Sequence, residues 1–355
     1  MKALVLAGGA GNRLRPITHT SAKQLLPVGN KPVLFYGLEA IRDTDITEVG
    51  IVVGATAPAI QAAVGGGEAF GLDVSYLRQE SPLGLADAVL VSQDFLGDDD
   101  FVMYLGDIFM LGGIRQLVED FQGHRPAAQL LVASVPDPRA FGVPELDADG
   151  RVVGIEEKPR QPKSDRAVTG VYLFAPAVHD AVAQLTPSSR GEYEISDAVQ
   201  WLIDKGQAVR STPFTGRWKD TGSAADLLDA NRMLLERLEP QQRGVVDAAS
   251  ELIGPVQIDD NAQISGSRIV GPAVIGAGAR VTDSYVGPFT SVAPTCVIAN
   301  SEVEYSIVLR GASIHGVRRI AASLIGHDVE VTPASRVSRT HRLLLGDHSK
   351  VQISC

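Results

Sequence analysis

The C-terminal part of the chain carries an aliphatic residue at every fifth or sixth position from about residue 252 onward. The series runs Ile258, Ile264, Val270, Ile275, Val281, Val286, Val292, Ile298, Val303, Val308, Ile314, Ile320, Ile325 and Val331. Dipeptides such as those at 275–276 and 286–287 place a glycine after the aliphatic residue and mark turns. A repeat this short and this sustained predicts a β-helix, in which successive rungs stack their aliphatic side chains. The alternative is an irregular β-sandwich, and so many consecutive matches argue against it.

The first residues of the chain predict a phosphate-binding loop that follows a short apolar strand at residues 3–7. The glycines of this loop are Gly8, Gly9 and Gly11, and the nearby cations are Arg13, Arg15 and Lys23. Glycines allow successive backbone N–H groups to face a phosphate. The spacing matches neither a P-loop nor a dinucleotide fingerprint, because Leu14 stands at the third glycine position of the latter. The alternative is a glycine-rich turn without function, and the added cations argue against it.

Composition excludes several classes of protein. Hydrophobic residues are 45% of the 355 and charged residues 21%, which suits a sizeable folded core. The net charge of −10 disfavours binding to nucleic acid or to anionic membranes. Cys296 and Cys355 are far apart and predict neither a disulfide framework nor a zinc site. No apolar run has transmembrane length and no signal peptide is evident, so we expect a cytoplasmic protein.

Residues 1–238 alternate between strand-like and helix-like segments. The predicted strands are 3–7, 48–53, 73–77, 101–105, 128–135, 152–155 and 167–174, and the predicted helices are 32–42, 85–95, 114–122, 195–205 and 223–238. This alternation predicts an α/β domain with a mostly parallel, doubly wound sheet, whose ligands bind at the carboxyl ends of the strands. We therefore expect a catalytic domain at 1–238, a linker at 239–251, the β-helix at 252–338 and a C-terminal cap or tail at 339–355.

Two aspartates are candidate metal ligands. Asp107 follows the apolar strand 101–105, and Asp220 precedes the helix predicted at 223–238. Mg²⁺ takes one or two carboxylates and fills its other positions with phosphates and water. Taken alone, each aspartate is equally well explained as a turn residue or a helix cap.

Other residues offer contacts to a sugar phosphate and to a base. Lys158 can meet a phosphate as a point charge, and the Glu157 carboxylate can accept hydrogen bonds from sugar hydroxyls. The alternative for both is a solvated turn. Thr169 leads the next strand, and the Gln79 amide can read a pyrimidine edge. The two glycines that would allow close backbone approach are Gly84 and Gly142.

Motifs along the whole chain resemble those of the sugar-nucleotide pyrophosphorylases, and most closely the glucose-1-phosphate thymidylyltransferases. In order they are LAGGAGNRLRP, KQLLPVGNKP, SPLGLADA, LGD, FGV, EEKP, AVTGVY, GEYEISD and WKDTG. The added repeat resembles the long form of that family, found in actinobacterial antibiotic and deoxysugar pathways such as that of streptomycin. The resemblance implies a Rossmann-like nucleotidyltransferase domain and a left-handed β-helix. It also implies that dTTP and glucose 1-phosphate react with Mg²⁺ as cofactor to give dTDP-glucose, the first step of a dTDP-deoxysugar pathway.

The resemblance implies a role for each matching residue. The catalytic cations fall on Arg13, Lys23 and Lys158; the nucleotide-binding positions on Leu6, Gly8, Gly9, Gly11, Gln79 and Gly84; the sugar-phosphate site on Gly142, Glu157, Lys158 and Thr169; and the metal ligands on Asp107 and Asp220. Two positions depart from the family pattern. Asn12 replaces the usual Thr or Ser of the loop, and Ile108 replaces the usual Asn after LGD.

Three alternatives for function stay open at this point. One is a uridylyltransferase that uses UTP with glucose 1-phosphate or N-acetylglucosamine 1-phosphate. Another is a non-catalytic subunit that senses sugar nucleotides, although the four charged candidates of the phosphate and metal sites are all present. A third is an acetyltransferase with His315 or His327 as base, although a histidine on a solenoid coil is more often a solvated residue. For the thymidylyltransferase we expect a homo-oligomer that binds dTTP and glucose 1-phosphate and has no nucleic-acid or membrane partner.

Overall fold

The computed structural model describes residues 1–333, so the predicted cap or tail at 339–355 and the end of the predicted β-helix lie outside the described residues. The chain divides into two compact units. The first, the sheet unit, comprises Met1–Ala10, Ala22–Leu25 and Val33–Asp220. The second, the solenoid unit, comprises Gly11–Ser21, Leu26–Pro32 and the chain from Thr221 onward. None of the helices within residues 1–333 combines the length and the apolar character that a membrane span requires.

The chain up to residue 238 contains thirteen strands, eight α-helices and five short 3₁₀ turns. The strands are β1 (Lys2–Leu6), β2 (Pro27–Val28), β3 (Lys31–Pro32), β4 (Glu48–Val53), β5 (Asp73–Arg78), β6 (Phe101–Leu105), β7 (Ile108–Leu111), β8 (Ala128–Ser134), β9 (Gly142–Leu146), β10 (Val152–Glu157), β11 (Arg166–Phe174), β12 (Val209–Pro213) and β13 (Arg217–Asp220). The helices are α1 (Val33–Arg42), α2 (Ala57–Val64), α3 (Leu85–Leu90), α4 (Gln93–Leu96), α5 (Arg115–His124), α6 (Val178–Ala183), α7 (Ile195–Asp204) and α8 (Ala224–Leu235). The 3₁₀ turns are Asn12–Leu14, Ile17–His19, Lys23–Leu25, Glu68–Phe70 and Pro138–Ala140.

A seven-stranded sheet forms the centre of the sheet unit, in the order β12-β8-β11-β6-β1-β4-β5. All neighbouring pairs are parallel except those of β11, which runs antiparallel to β6 and β8. Buried aliphatic and aromatic side chains form a core cluster on each face of this sheet. The predicted α/β domain with a mostly parallel, doubly wound sheet is therefore confirmed.

The structure departs from the predicted elements in several places, and it contains two helices, α2 and α6, that the predicted set lacks. The helix predicted at 85–95 is divided into α3 and α4, and the buried hydroxyl of Ser92 between them donates to the carbonyl oxygen of Ala88 at 2.7 Å. Such a bond competes with the helical pattern and often bends a helix. The predicted strands do not include β2, β3, β7, β9, β12 or β13, because short or polar strands give no sustained alternation of apolar residues.

The solenoid unit contains a β-helix of three parallel sheets. Its strands are β14 (Gln241–Gln242), β15 (Val245–Val246), β16 (Glu251–Ile253), β17 (Val256–Ile258), β18 (Gln263–Ser265), β19 (Arg268–Val270), β20 (Ala273–Ile275), β21 (Arg280–Thr282), β22 (Tyr285–Val286), β23 (Thr290–Val292), β24 (Val297–Ala299), β25 (Glu302–Glu304), β26 (Ile307–Val308), β27 (Ser313–His315), β28 (Ile320–Ala321), β29 (Leu324–Ile325) and β30 (Glu330–Val331). Most of the predicted aliphatic side chains form its buried core, and Ile320 and Val331 pack against it while only partly buried. The prediction was wrong at Val270, where the neighbouring Ile269 is the buried residue. This confirms the predicted β-helix, and the three parallel sheets are consistent with the left-handed form. The first coil begins with β14 and β15, inside the segment 239–251 that was predicted as a linker.

Most coils of the β-helix contain 17 residues, one fewer than three hexapeptides. A ladder of serines, Ser250, Ser267, Ser284 and Ser301, occupies one corner of successive coils and ends at Val317. The amide nitrogen of Ser284 donates to Ser267 Oγ at 3.1 Å across a separation of 17 residues, and that of Ser301 donates to Ser284 Oγ at 3.1 Å. The hydroxyls of Ser267, Ser284 and Ser301 each donate in turn to a carbonyl oxygen two residues earlier. These serines therefore satisfy the backbone of a tight corner and hold adjacent coils in register.

Candidate active site

One cavity in the sheet unit lies at the carboxyl ends of β1 and β6, whose last residues Leu6 and Leu105 both line it. Seven of the residues selected from the sequence line this cavity: Leu6, Gly8, Gly9, Lys23, Gln79, Gly84 and Asp107. Ligands of open α/β sheets bind at this end of the strands. The fold therefore collects these residues from four separate segments of the sequence, around residues 6–9, 23, 79–84 and 107, at the place where a ligand is expected.

A cation and a carboxylate face each other in this cavity. Lys23 Nζ forms a short ion pair with Asp107 Oδ2, and the two side chains are only 13% and 17% exposed. The turn Gly8–Gly9 lies beside them, since an added Cβ on Gly9 would be 3.9 Å from Lys23 Cε. Partial enclosure strengthens the field of both charges, because less water screens them. The site can therefore hold an anionic group and a cation at neighbouring positions.

Gln79 follows β5, and its amide nitrogen Nε2 donates to Asp87 Oδ2 at 2.7 Å and to the carbonyl oxygen of Gly84 at 3.2 Å. A carboxylate and a carbonyl only accept, so Nε2 must face them and Oε1 points elsewhere. An ideal Cβ on Gly8 would lie 3.3 Å from this Oε1. Gly84 has φ +120°, and a Cβ there would lie 2.4 Å from the carbonyl oxygen of Tyr193, so glycine is required. Gln79 therefore presents its acceptor, Oε1, to the cavity, because its donor nitrogen Nε2 is already bonded to Asp87 and Gly84.

The two predicted metal ligands occupy neighbouring backbone positions. Strands β7 and β13 form an antiparallel ribbon in which Asp220 faces Ile108, the residue after Asp107. Facing residues of such a pair have Cα atoms about 4.5–5.5 Å apart. Within residues 1–333 no group of three or more His, Cys, Asp or Glu side chains is arranged to hold a metal ion. A pair of carboxylates alone fits Mg²⁺, which keeps several waters and binds phosphate oxygens.

Ile108, one of the two departures from the family pattern, is only 2% exposed and belongs to the apolar core of the sheet unit. Its Cγ2 atom would lie 3.3 Å from a Cβ added to Gly170, so the side chain packs against β11. The isoleucine therefore points into the core, and an apolar side chain is compatible with this position.

Glu157 and Lys158 end β10 within a polar cluster. Glu157 Oε2 accepts a hydrogen bond from Ser196 Oγ at 2.6 Å, and Glu157 Oε1 lies 3.4 Å from Lys158 Nζ and 3.6 Å from Arg190 Nη1. Gly142 pairs with Glu157 across the β9–β10 ribbon, and a Cβ there would lie 3.3 Å from Glu157 Oε2. Three of the four residues predicted for the sugar phosphate are thus together.

Thr169, the fourth of these residues, is buried in β11. Its hydroxyl donates to the carbonyl oxygen of Leu131 at 3.1 Å, and its own carbonyl accepts from Trp218 Nε1 at 2.7 Å. Its side chain is only 1% exposed. The predicted substrate contact of Thr169 remains a prediction, and the structure shows the hydroxyl bonded to strand β8.

Gly11 and Arg13 belong to the solenoid unit. Gly11 has φ +64° before the turn Asn12–Leu14, and its carbonyl oxygen accepts from Thr18 Oγ1 at 2.8 Å. Arg13 is exposed within that turn, as is Asn12, the other departure from the family pattern. The turn needs a left-handed residue at Gly11, which explains the third glycine of the loop.

Four residues of this region received no role from the sequence. Gln24 lines the cavity, is 1% exposed, and its Oε1 has no hydrogen-bond partner within residues 1–333. Glu192 also lines the cavity and lies 2.5 Å from Arg190 Nη2, which connects it to Glu157. Burial raises the pKa of Glu194, which lies 3.4 Å from Arg190 Nε. These residues belong to the motifs KQLLP and GEYEISD or stand just before the latter, so the motifs were the signal that could have selected them.

Comparisons with known proteins agree with this arrangement. Residues 2–237 match the nucleotidyl transferase family model. A glucose-1-phosphate thymidylyltransferase of Streptomyces griseus is 64% identical over 354 residues and covers 100% of both chains. Another, from Streptomyces antibioticus, is 59% identical and covers 99% of each. A solved structure from Bacillus anthracis, described as a glucose-1-phosphate thymidylyltransferase, has a TM-score of 0.63 and 37% identity, and covers 68% of this chain and 98% of its own.

The family model spans about two thirds of the chain, and the Streptomyces relatives span the chain and its repeats together. The cavity at the carboxyl end of the sheet, with its glycine turn, paired lysine and aspartate, and engaged glutamine, lies within the part that the family model matches. The chain therefore belongs to the nucleotidyl transferase family and, within it, to the glucose-1-phosphate thymidylyltransferases.

Proposed function

We propose that this protein transfers a thymidylyl group from dTTP to glucose 1-phosphate and releases pyrophosphate. The observation that carries the proposal is the enclosed pair of Lys23 and Asp107 beside the Gly8–Gly9 turn. Phosphoryl transfer is catalysed mostly by positioning and charge neutralisation, which such a pair supplies. The choice of substrates is supported by the names of the Streptomyces relatives. The product, dTDP-glucose, would begin a dTDP-deoxysugar pathway.

In the proposed reaction a phosphate oxygen of glucose 1-phosphate attacks the α-phosphorus of dTTP. A bond forms between that oxygen and the α-phosphorus, and the bond from the α-phosphorus to the bridging oxygen breaks, so pyrophosphate leaves with the electron pair. A phosphate monoester has its second pKa at about 6, so the nucleophile is already ionised near neutrality. The reaction therefore needs no general base.

The residues of the cavity would divide the work of binding the triphosphate. The backbone of Gly8 and Gly9 would approach the phosphates closely, and Lys23 would neutralise the β- and γ-phosphates. Arg13 is given the same role, and Gly11 a place in the phosphate loop, on the resemblance of the loop motif. The Gln79 acceptor would meet the N3–H of the pyrimidine, with Leu6 and Gly84 against the base.

The cluster around β10 would bind the sugar phosphate. Lys158 would hold the attacking phosphate in line with the α-phosphorus, because its ammonium is a compact point charge. Glu157 would accept hydrogen bonds from sugar hydroxyls, and its bond from Ser196 fixes its orientation. Gly142 would allow the sugar to approach the backbone, and Thr169 completes the predicted set.

Asp107 and Asp220 would hold the Mg²⁺ ion. Their carboxylates are the hard oxygen donors that this ion prefers, and the β7–β13 ribbon keeps them in neighbouring positions. When bound, Mg²⁺ supplies positive charge against the α-phosphate. Lys23 contacts Asp107, so this lysine would be oriented by the same carboxylate.

A pyrophosphate-release assay over a matrix of nucleoside triphosphates and sugar 1-phosphates tests the proposal. We expect dTTP with glucose 1-phosphate to give the highest kcat/KM, UTP to be slower, and purine triphosphates to be poor. Lys23→Ala should abolish most of the activity, whereas Lys205→Ala, which removes an exposed lysine stacked on Trp201, should not. A best rate with a purine triphosphate, or full activity in Lys23→Ala, would refute the proposal.

A further inference from the structure

A two-residue hairpin follows Lys23 closely in the chain and belongs to the solenoid unit. Its strands β2 and β3 contain two residues each and are joined by Gly29 and Asn30, whose φ values are +58° and +65°. Two consecutive left-handed residues make a type I′ turn, which suits such a short connection. A hairpin of this size is not stable by itself, so contacts elsewhere must hold its conformation.

The side chain of Asn231 on α8 supplies those contacts. It is completely buried, at 0% exposure. Its Oδ1 accepts from the amide nitrogen of Gly29 at 2.9 Å and from Ser291 Oγ at 2.7 Å, and its Nδ2 donates to the carbonyl oxygen of Phe289 at 3.1 Å. Asn30 adds a bond from its Nδ2 to the carbonyl oxygen of Val292 at 2.8 Å. One buried amide therefore joins the hairpin, α8 and a coil of the β-helix.

The bonds of this network leave little freedom to the hairpin. Burying an amide costs free energy unless its donors and acceptor are paired, so few other positions of the hairpin relative to Asn231 are compatible with the folded state. The hairpin begins at Pro27, four residues after Lys23, and the intervening Leu26 is buried. A restraint on the hairpin is therefore a restraint on the chain that leads to Lys23.

We propose that Asn231 is a positioning residue for the transferase reaction: by fixing the hairpin to the β-helix, it restrains Lys23 through the covalent chain. The inference rests on the proposed function, because Lys23 is there assigned to the β- and γ-phosphates. It gives the β-helix a part in nucleotide binding without any contact to substrate. The effect should appear in the KM for the nucleotide and not in the KM for the sugar phosphate.

Two variants of the full-length protein test the inference. Asn231→Ala removes the central amide. Asn30→Gly removes only the bond to Val292, and it keeps a residue that accepts positive φ, so the fold should survive. We expect faster hydrogen exchange in residues 26–32 of both, measured without substrate, and a KM for dTTP raised about tenfold, since small misplacements of binding groups have effects of this order or larger. The KM for glucose 1-phosphate should stay unchanged.

Tyr305→Phe is the matched control. It removes the bond from Tyr305 Oη to Asp229 Oδ1 at 3.1 Å, which also joins α8 to the β-helix but does not involve the hairpin. We expect its exchange in residues 26–32 and its KM for dTTP to equal those of the wild type. Faster exchange with an unchanged KM in an active enzyme refutes the inference alone, as does a control that behaves like Asn231→Ala. A wild-type protein without transferase activity refutes the proposed function and this inference with it.

Discussion

The orientation of the Gln79 amide makes a sharp prediction about base recognition. Nε2 is held by Asp87 and Gly84, so only Oε1 is left to meet a ligand. Thymine and uracil carry a hydrogen on N3 that such an acceptor can bind, whereas cytosine does not. Gln79→Glu keeps an oxygen in the ligand-facing position but turns the inner atom into a second acceptor opposite Asp87. The substitution therefore tests whether the two inner bonds, from Gln79 Nε2 to Asp87 and to Gly84, hold Oε1 in its ligand-facing position.

The size of the effect follows from the two inner bonds. The bond to Asp87 is 2.7 Å long and has a charged acceptor, a class that contributes about 1.5–3 kcal/mol. The bond to Gly84, at 3.2 Å, is of the neutral class worth about 0.5–1.5 kcal/mol. Gln79→Glu replaces the first by a repulsion, so we expect dTTP binding to weaken about 10- to 100-fold, at 1.4 kcal/mol per factor of ten. Asp87→Asn in the same protein restores a donor and should recover most of the loss.

The assay is a double-mutant cycle read by calorimetric binding of dTTP, with CTP as the second ligand. Wild-type protein should bind dTTP far more tightly than CTP. Gln79→Glu should lose affinity for dTTP, the pair Gln79→Glu with Asp87→Asn should regain it, and Asp87→Asn alone should have an intermediate effect. If the losses in dTTP affinity from the two substitutions simply add, without rescue, the bond from Gln79 Nε2 to Asp87 does not orient Oε1. Equal affinity of the wild-type protein for CTP and dTTP would show that Gln79 Oε1 does not meet N3–H.

Three further predictions follow from the site and the core. Asp107→Asn and Asp220→Asn should each lower kcat by about 10²–10³, because charge neutralisation at the phosphates is lost, and the circular dichroism of both variants should stay that of the wild type. Near-normal turnover at saturating Mg²⁺ would remove that residue from the metal site. Ile275→Asp buries an unpaired charge at a fully buried position and should cost more than about 4 kcal/mol of unfolding free energy, measured by denaturant titration, and a stable variant would contradict the packing of the β-helix. Burial raises the pKa of Glu194 above its ordinary 4.5, so its contribution to stability is present at low pH and is lost as pH rises through the folded-state pKa. Glu194→Gln should therefore reduce the fall in melting temperature between pH 4.5 and neutrality, and an unchanged pH profile would show that another group controls it.

Much of the sheet unit could be predicted because its central strands are buried on both faces. Strands at 48–53 and 101–105 were predicted with the bounds that the structure has, since continuous apolar runs between turn residues are a strong signal. The β7–β13 ribbon escaped prediction because its partners are about a hundred residues apart and β13 is polar. This ribbon places Asp220 opposite Ile108, the residue after Asp107. The sequence therefore suggested both candidate ligands but could not show that their backbone positions are neighbours.

The limits of the predicted domains also remain a prediction, because they depend on contacts between distant parts of the chain. The change from helical spacing to the short aliphatic repeat suggested a division at residue 238. The structure groups α8 with the solenoid unit and begins the first coil at β14, inside the predicted linker. A helix pattern shows which face is apolar, but it cannot show which neighbour covers that face.

Asn231 is a polar residue within the apolar stripe of α8, and such a residue indicates that the neighbour covering the stripe offers polar groups to pair with it. It lies four residues after Leu227 and four before Leu235, at the centre of the buried face of α8. Leucine would continue the stripe and raise helix propensity, yet it would leave the Gly29 amide, the Ser291 hydroxyl and the Phe289 carbonyl without their partner. Each unpaired buried group costs about 1–3 kcal/mol, which exceeds the gain from one apolar side chain. We therefore expect Asn231→Leu to lower the unfolding free energy, whereas Ala225→Leu, at an exposed position of the same helix, should leave it nearly unchanged. A stabilised Asn231→Leu variant would show that the amide is not needed to hold the hairpin and the β-helix together.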